Sequence, residues 1–227
     1  MLRYPLQRLA TALAVSAFAV GTAHAAAIIK DNTIVNVIPG LTGFATTGAQ
    51  MTGLKVTATF SSGFTQTLDW ATTGATSGGV TGTNWGLSLA NDSFTTAWVF
   101  TLTPGTFGSL LSMVLDGTDA LTVFDTTNPS FGTPDSAQGM DFDIVGNAAL
   151  NAAAIATYTK VVAVSPNGFV GDLYQTLRVT FGPNGTTTGF SFMQDTDNDA
   201  RFGTPEPGTL ALVGLALAAA GALRRKS

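Results

Sequence analysis

The 227-residue chain contains no cysteine, one histidine and one glutamate, and only 11% of its residues are charged. Disulfides therefore cannot stabilise the fold, and an ordinary apolar core must do so. The histidine is His24 and the glutamate is Glu206, so aspartate is the only acid in the long stretch between them. These absences leave aspartate as the only carboxylate available to an active or metal-binding site in that stretch.

Residues 1–25 have the pattern of a secretory signal peptide. Arg3 and Arg8 precede an uncharged apolar run of about twelve residues, which is too short to remain as a membrane span. Ala23 and Ala25 supply the two small residues that signal peptidase reads. We predict export by the general secretion machinery and cleavage after Ala25.

Cleavage at that point would remove His24, and the mature chain would then contain neither histidine nor cysteine. A Ser-His-Asp triad, a cysteine nucleophile and a histidine-ligated zinc site are thereby excluded. A pair of aspartates, as in a glycosidase, is still possible. Asp141 and Asp143 are the candidates, because they flank Phe142 and would share one face of a strand. The alternative, which we favour, places both on a solvated face with Phe142 in the core, so we do not expect an enzyme.

The C-terminal segment, residues 205–227, combines three features in a fixed order. Pro205, Glu206 and Pro207 come first, and the uncharged apolar run 208–223 follows. As a helix this run would be about 24 Å long, enough for a short single transmembrane helix if the bilayer thins locally. Three basic residues lie next to the C-terminus and predict that it is cytoplasmic. These basic residues are Arg224, Arg225 and Lys226.

This order of features resembles the PEP-CTERM sorting signal of Gram-negative bacteria. The resemblance implies that exosortase, a membrane-embedded cysteine protease or transpeptidase, recognises Pro205, Glu206 and Pro207 and processes the protein near them. It also implies that 208–223 is a membrane anchor and that the basic residues 224–226 are a retention signal. The expected path is an intermediate anchored in the inner membrane, followed by release to the outer surface or the extracellular space.

The part between the two signals is acidic. Residues 26–204 contain five basic residues and thirteen aspartates, a net charge of −8. Nucleic-acid binding depends on lysine and arginine neutralising phosphates, so nucleic acid is not an expected partner. The same charge disfavours anionic membrane surfaces.

Residues 26–194 are predicted to form an all-β ectodomain. Short runs of alternating apolar and polar residues are separated by glycine, proline, asparagine and aspartate. This pattern favours an antiparallel two-sheet sandwich of the jelly-roll or lectin-like kind. The predicted strands are 33–38, 54–60, 65–70, 85–89, 94–102, 110–115, 120–124, 140–145, 157–164, 174–181 and 188–194.

Connections between these strands are predicted from turn residues. Asp116-Gly117 and the 183–185 turn are typical of hairpins. The alanine-rich segment 147–156 predicts a short helix capped by Asn147. The segments 74–83 and 126–139 are predicted loops.

Two segments suggest binding chemistry. The first is an acidic run in which Asp195, Asp197 and Asp199 have the spacing of the first calcium-loop ligands, although the loop's usual glycine is absent. We favour the alternative that 195–204 is a solvated acidic linker. The second is Trp85, which follows a glycine-rich segment and is a candidate for stacking on a glycan, whereas Trp98 is expected in the core. Threonine is abundant, but its irregular spacing argues against an ordered surface array.

The sequence therefore predicts an exported surface or extracellular-matrix protein. The family association with polysaccharide production implies a structural or adhesive role in an exopolysaccharide matrix. The alternatives are a carbohydrate-binding module, with or without calcium, and a glycan-acting enzyme.

Overall fold

The computed structural model describes residues 25–42, 46–103, 105, 107–127, 139–165 and 168–201. The predicted signal residue Ala23, the motif residues 205–207, the apolar run 208–223 and the basic residues 224–226 lie outside these ranges. No helix within the described ranges has both the length and the hydrophobicity to cross a membrane.

The described residues form sixteen strands, one short 3-10 helix at Gly48–Met51 and one α-helix, α1, at Ala148–Ala153. The strands are β1 (Ala27–Lys30), β2 (Val35–Ile38), β3 (Leu41–Thr42), β4 (Lys55–Phe60), β5 (Thr65–Asp69), β6 (Ala71–Thr72), β7 (Gly78–Thr81), β8 (Trp85–Leu89), β9 (Trp98–Leu102), β10 (Leu110–Asp116), β11 (Thr122–Asp125), β12 (Asp143–Val145), β13 (Ile155–Val164), β14 (Gly168–Thr180), β15 (Phe190–Met193) and β16 (Asp195–Asp199).

The larger sheet contains ten strands arranged in six rows. The central row is β14, which pairs with β13 along one side and with β10 and β11, end to end, along the other. Beyond β10 come β4 and β5, and beyond β11 come β16 and β3. On the far side of β13, β1 and β2 lie end to end and form an edge row. Several rows of this sheet are therefore built from two short strands in line.

Strand pairing is antiparallel throughout both sheets except at that edge row. There β1 and β2 run parallel to β13, so the expectation of a purely antiparallel fold is corrected at this edge. Parallel neighbours need a long connection, and more than a hundred residues separate β2 from β13 along the chain.

The smaller sheet has six antiparallel strands in the order β12, β15, β9, β8, β7, β6. Its inward side chains and those of the larger sheet belong to one apolar cluster. Aromatic rings dominate this cluster: Trp70 and Trp98 lie 5.3 Å apart between centroids, and Trp98 stacks on Phe192 at 5.7 Å. The two sheets are thus joined by a shared core that needs no disulfide.

Both predicted hairpins are wrong. After the turn at Asp116-Gly117 the chain does not reverse. It continues in the same direction, so that β11 lies in line with β10 and both pair with β14. The turn between β14 and β15 carries the chain from one sheet to the other. Turn residues signal a change of direction, but they do not specify which strand becomes the neighbour.

The predicted helix is confirmed, and one predicted loop is corrected. Asn147 caps α1 by accepting a hydrogen bond from the Leu150 amide at 3.0 Å. The segment 74–83 contains β7, which begins at a pair of glycines. A Cβ on Gly78 would lie 2.2 Å from the Gly48 carbonyl oxygen and from Trp70 Nε1, so glycine is required there for close approach and not for flexibility. Residues 128–138 of the other predicted loop lie outside the described ranges.

A buried polar cluster around Gln194 links the two sheets where the chain passes from β15 to β16. The Gln194 amide nitrogen donates to three backbone carbonyls, those of Asp195 at 2.8 Å, Met140 at 3.1 Å and Asp125 at 3.3 Å. Its amide oxygen accepts a hydrogen bond from the Tyr158 hydroxyl, which in turn accepts one from the Phe142 amide at 2.8 Å. Gln194 is fully buried, so each of these groups depends on its partners for hydrogen bonding.

We expect Gln194→Met, which keeps the side-chain volume, to lower the free energy of unfolding by about 3 to 5 kcal/mol, because it removes four buried hydrogen bonds. Urea denaturation followed by tryptophan fluorescence measures this loss. The matched control is Gln175→Met, at a buried glutamine whose side chain accepts a hydrogen bond from Asn36 at 2.6 Å. The control should lose clearly less, and equal losses would contradict a special role for Gln194.

Candidate functional site

The acidic run beside the C-terminal segment is a strand and not a linker. Asp195–Asp199 form β16, and all five of its residues are buried. β16 pairs with β11 along one side, and its last two residues pair with β3 on the other. The Thr196 amide donates instead to the Ser93 hydroxyl at 2.9 Å. The predicted solvated linker 195–204 is thereby corrected: the folded domain extends to about Ala200, whose amide donates to the Gly40 carbonyl at 2.9 Å.

Hydrogen bonds compensate part of the cost of burying these acids. Asp195 Oδ1 accepts from the Ser93 hydroxyl at 3.1 Å and from the Thr196 amide at 2.8 Å. Asp199 forms an ion pair with Arg201, whose Nε lies 2.9 Å from Asp199 Oδ2. Sequence reasoning missed this arrangement because a run of aspartates predicts solvation unless the partners contributed by distant residues are known.

The extended backbone also argues against the calcium loop. Asp195, Asp197 and Asp199 occupy alternate positions of β16, about 7 Å apart in a strand, whereas calcium ligands must converge to about 2.3–2.6 Å from one ion. Among the residues that the structure describes, no group of three or more acids, histidines or cysteines is placed to hold a metal ion.

Burial changes the acidity of Asp195. Desolvation raises the pKa of its carboxyl to about 7, and the negative charge of Asp197 acts in the same direction. The hydrogen bonds from Ser93 and Thr196 favour the charged form and offset part of the rise. Asp195 is therefore a group that changes charge near neutral pH inside the folded domain.

Trp85 is buried, which corrects the prediction that it contacts a glycan. Only 3% of its surface is exposed, because it begins β8 and shares the inward face of that strand with Leu87 and Leu89. Its ring nitrogen donates to Gln66 Oε1 at 2.8 Å, and its ring stacks on Phe100. Trp98 is in the core, as predicted, and donates to the Gln194 carbonyl at 3.0 Å.

Asp141 and Asp143 have separate partners. Asp141 forms an ion pair with Lys30 at 3.4 Å, whereas Asp143 Oδ1 accepts a hydrogen bond from Asn151 Nδ2 at 2.6 Å. Phe142 between them is buried, as predicted. A groove of about 390 Å³ is lined by Asp143 but not by Asp141, so the two carboxylates do not face a common cleft there.

The sheet also forms a surface that the sequence analysis did not predict. Cross-strand pairing on the outer side of the larger sheet aligns Thr65, Thr59, Ser112 and Thr180, one from each of four neighbouring strands. A second line contains Thr67, Thr57, Val114, Arg178 and Thr157. We call these nine residues the hydroxyl face; Ser112 is buried within it, and the others are partly or fully exposed. Neighbouring strands lie about 4.8 Å apart, so side chains that are irregularly spaced in sequence become an ordered array.

Hydroxyl groups on this face bond to one another and keep capacity for a further partner. Thr57 and Thr67 hydroxyls lie 2.8 Å apart, and the Thr65 hydroxyl donates to that of Thr59 at 3.3 Å. Each hydroxyl has one donor and two acceptor sites, so one contact does not saturate it. Arg178 is exposed within the second line. The two alternating threonine pairs that flank the short turn 61–64 were the available sequence signal.

Comparison with known proteins identifies only the C-terminal segment. Residues 204–226 match the model of the PEP-CTERM protein-sorting motif, which confirms the resemblance of the proline, glutamate and basic residues in this segment. The match supports an exported protein that is sorted by exosortase and displayed at the surface. Searches of curated proteins and of solved structures find no match to the chain.

We expect the free energy of unfolding to fall by about 3 kcal/mol between pH 5 and pH 8 because of Asp195. Its pKa of about 7 in the folded state exceeds the ordinary value of about 4, so the folded state binds the proton more tightly, and that advantage is lost as the pH rises. Urea denaturation across this range measures the slope. Asp195→Asn should flatten it, while Asp69→Asn, at an exposed partner of Lys55, should not. An unchanged slope in Asp195→Asn would contradict the assignment.

Proposed function

We propose that the protein is a structural or adhesive component of an exopolysaccharide matrix, delivered by the secretion machinery and processed by exosortase. In this proposal the apolar run 208–223 anchors an intermediate in the inner membrane, and processing near Pro205, Glu206 and Pro207 releases the ectodomain to the outer surface or the medium. The ectodomain is a β-sandwich, since its two sheets share one apolar core. The proposal includes no catalytic activity.

The observation that carries the sorting part is the match at residues 204–226, which follows the folded domain almost directly. β16 ends at Asp199, and Arg201 still bonds to it. Only three residues separate Arg201 from Pro205, and the four Cα–Cα steps between them span at most about 14 Å when fully extended. The ectodomain must therefore lie close to the membrane until its tail is processed.

The hydroxyl face supports the matrix part. A polysaccharide presents many hydroxyl groups, and an array of threonine and serine hydroxyls offers both donors and acceptors to them. The exposed guanidinium of Arg178 adds fixed donors in the same surface. Single hydroxyl contacts contribute little, so such a face binds a repeating chain through many weak contacts at once.

No specific observation favours the alternatives. Trp85 is buried, and the acids of β16 are extended along a strand, so neither is proposed as a carbohydrate or calcium site. Asp141 and Asp143 bond to different neighbours, which gives no support to a glycan-acting pair.

Glu206→Ala should prevent processing, because it removes the one charged residue of the Pro-Glu-Pro motif. Intact mass spectrometry of the protein from the native host should then show a chain that still ends at Ser227, whereas the wild type should end near residues 205–207. The control is Ser227→Ala, which lies outside the matched segment. A wild-type chain ending at Ser227, as in a strain without exosortase, would overturn the sorting proposal.

Replacing Thr57, Thr59, Thr65 and Thr67 by valine should weaken binding to the host's purified exopolysaccharide roughly tenfold, because four hydroxyls are lost while the β-branched shape is kept. Co-sedimentation of the processed protein with the polysaccharide measures this. The matched control is Thr81→Val with Thr101→Val, at exposed threonines of the smaller sheet. If the wild type shows no binding, or the four-residue variant binds as well as the control, the adhesive role of this face is wrong.

A further inference from the structure

The groove beside α1 lies at the point where the chain enters the folded domain. Its walls are formed by Ala25, by Asp143 and Ile144 of β12, and by the start of α1 with the turn before it. Among the described residues that line it, Asp143 alone is ionisable. The residue on the N-terminal side of the predicted signal-peptidase cut thus shares a groove with a single carboxylate.

The residues that follow the cut are fixed in the fold. Ala26 is buried and belongs to the main apolar cluster. The Ala27 amide donates to the Ala154 carbonyl at 3.0 Å, and from Ala27 onward β1 pairs with β13. Burial of Ala26 and the pairing that begins at Ala27 therefore hold the residues after the cut in the fold.

Asp143 has a hydrogen-bond donor but no cation. Its Oδ1 accepts from Asn151 Nδ2 at 2.6 Å, and no ion pair to Asp143 occurs within the described ranges. The neighbouring elements supply no cation for Asp143. α1 contains no ionisable residue, and Lys30 of β1 pairs with Asp141. Tyr158 of β13 is buried and accepts a hydrogen bond from the Phe142 amide. A carboxylate with one neutral partner can still accept a charged donor.

We propose that this groove binds the N-terminal ammonium group that signal peptidase creates on Ala26. Hydrolysis adds water across the Ala25–Ala26 peptide bond: Ala25 leaves with a carboxylate, and the Ala26 nitrogen gains protons and becomes an ammonium group. Ala25 lines the groove together with Asp143, so its departure leaves the Ala26 nitrogen facing the space that Ala25 occupied. Removal of the signal thereby completes an ion pair that the precursor lacks. This inference rests on the cleavage after Ala25 that is part of the proposed function.

The same geometry fixes the order of events. A protease acts on a bond whose flanking residues are free of other contacts, so a folded site is cut only when it opens locally. With Ala26 buried and β1 paired, the bond is protected once the domain has folded. Cleavage therefore precedes the pairing of β1 with β13, and the new ammonium group is present when β1 takes its place.

The test is the pKa of the Ala26 amine in the full exported chain from the native host, after intact mass has established the N-terminus. Reductive methylation with isotope-labelled formaldehyde gives this amine an NMR signal that can be titrated. We expect its pKa in the wild type to be about one unit or more above that in Asp143→Asn, because the carboxylate favours the charged form. Asp141→Asn is the matched control and should leave the value as in the wild type.

The stability of the folded domain should depend on the protonation of the same Ala26 amine. An amine with a raised pKa in the folded state stabilises the fold below its unfolded value of about 8, and the contribution is lost as the pH rises through the folded value. The wild type should therefore lose melting temperature between pH 7 and pH 9.5 by more than Asp143→Asn does. If Asp143→Asn does not fold, an alanine inserted between Ala25 and Ala26 moves the ammonium group by one residue, and its pKa should then return to the ordinary value.

The outcomes separate the two levels of the proposal. A chain that begins at a residue other than Ala26 overturns both the predicted cleavage and the ion pair. A chain that begins at Ala26 and has an ordinary amine pKa, unaffected by Asp143→Asn, overturns the ion pair alone.

Discussion

The buried amide of Gln194 is the interaction on which the arrangement of the two sheets depends. It lies between β15, in the smaller sheet, and β16, in the larger one, where consecutive strands separate into different layers. The chain changes layers within one residue there, and the Gln194 side chain bonds to three backbone carbonyls around that point. The apolar core supplies most of the stabilisation, and this amide links the residues at the junction where β15 leads into β16.

Alternation and turn residues predicted much of the local structure. β8 has the predicted bounds, and α1 has the predicted cap at Asn147. The wrong predictions concern which strand a segment pairs with. The run of acids in β16 predicts a solvated segment, because hydrogen-bond donors such as Ser93 are far away in sequence. Three features depend on the pairing register between distant segments, which local periodicity does not specify. They are the parallel edge row, the in-line strands β10 and β11, and the hydroxyl face.

Site residues also differ in whether the local sequence is enough to predict them. The sorting motif at the C-terminus is predictable because its features are consecutive in sequence and need no tertiary contact. The glycine-rich segment before Trp85 predicts an exposed ring, yet the alternation of side chains along β8 turns it inward. The groove beside α1 combines Ala25 with Asp143, residues separated by more than a hundred positions, so only the fold places them together.

The position of β16 has a mechanical consequence. The C-terminal segment continues from the end of a strand that is paired on both sides, so a force on the tail acts along β16 against β11 and β3. Hydrogen bonds in such a ladder are perpendicular to the strand and share the load, whereas a strand peeled from an edge loses them one at a time. Placing a charged but buried strand at this point gives the ectodomain an attachment that resists shear while the protein is held at the cell surface.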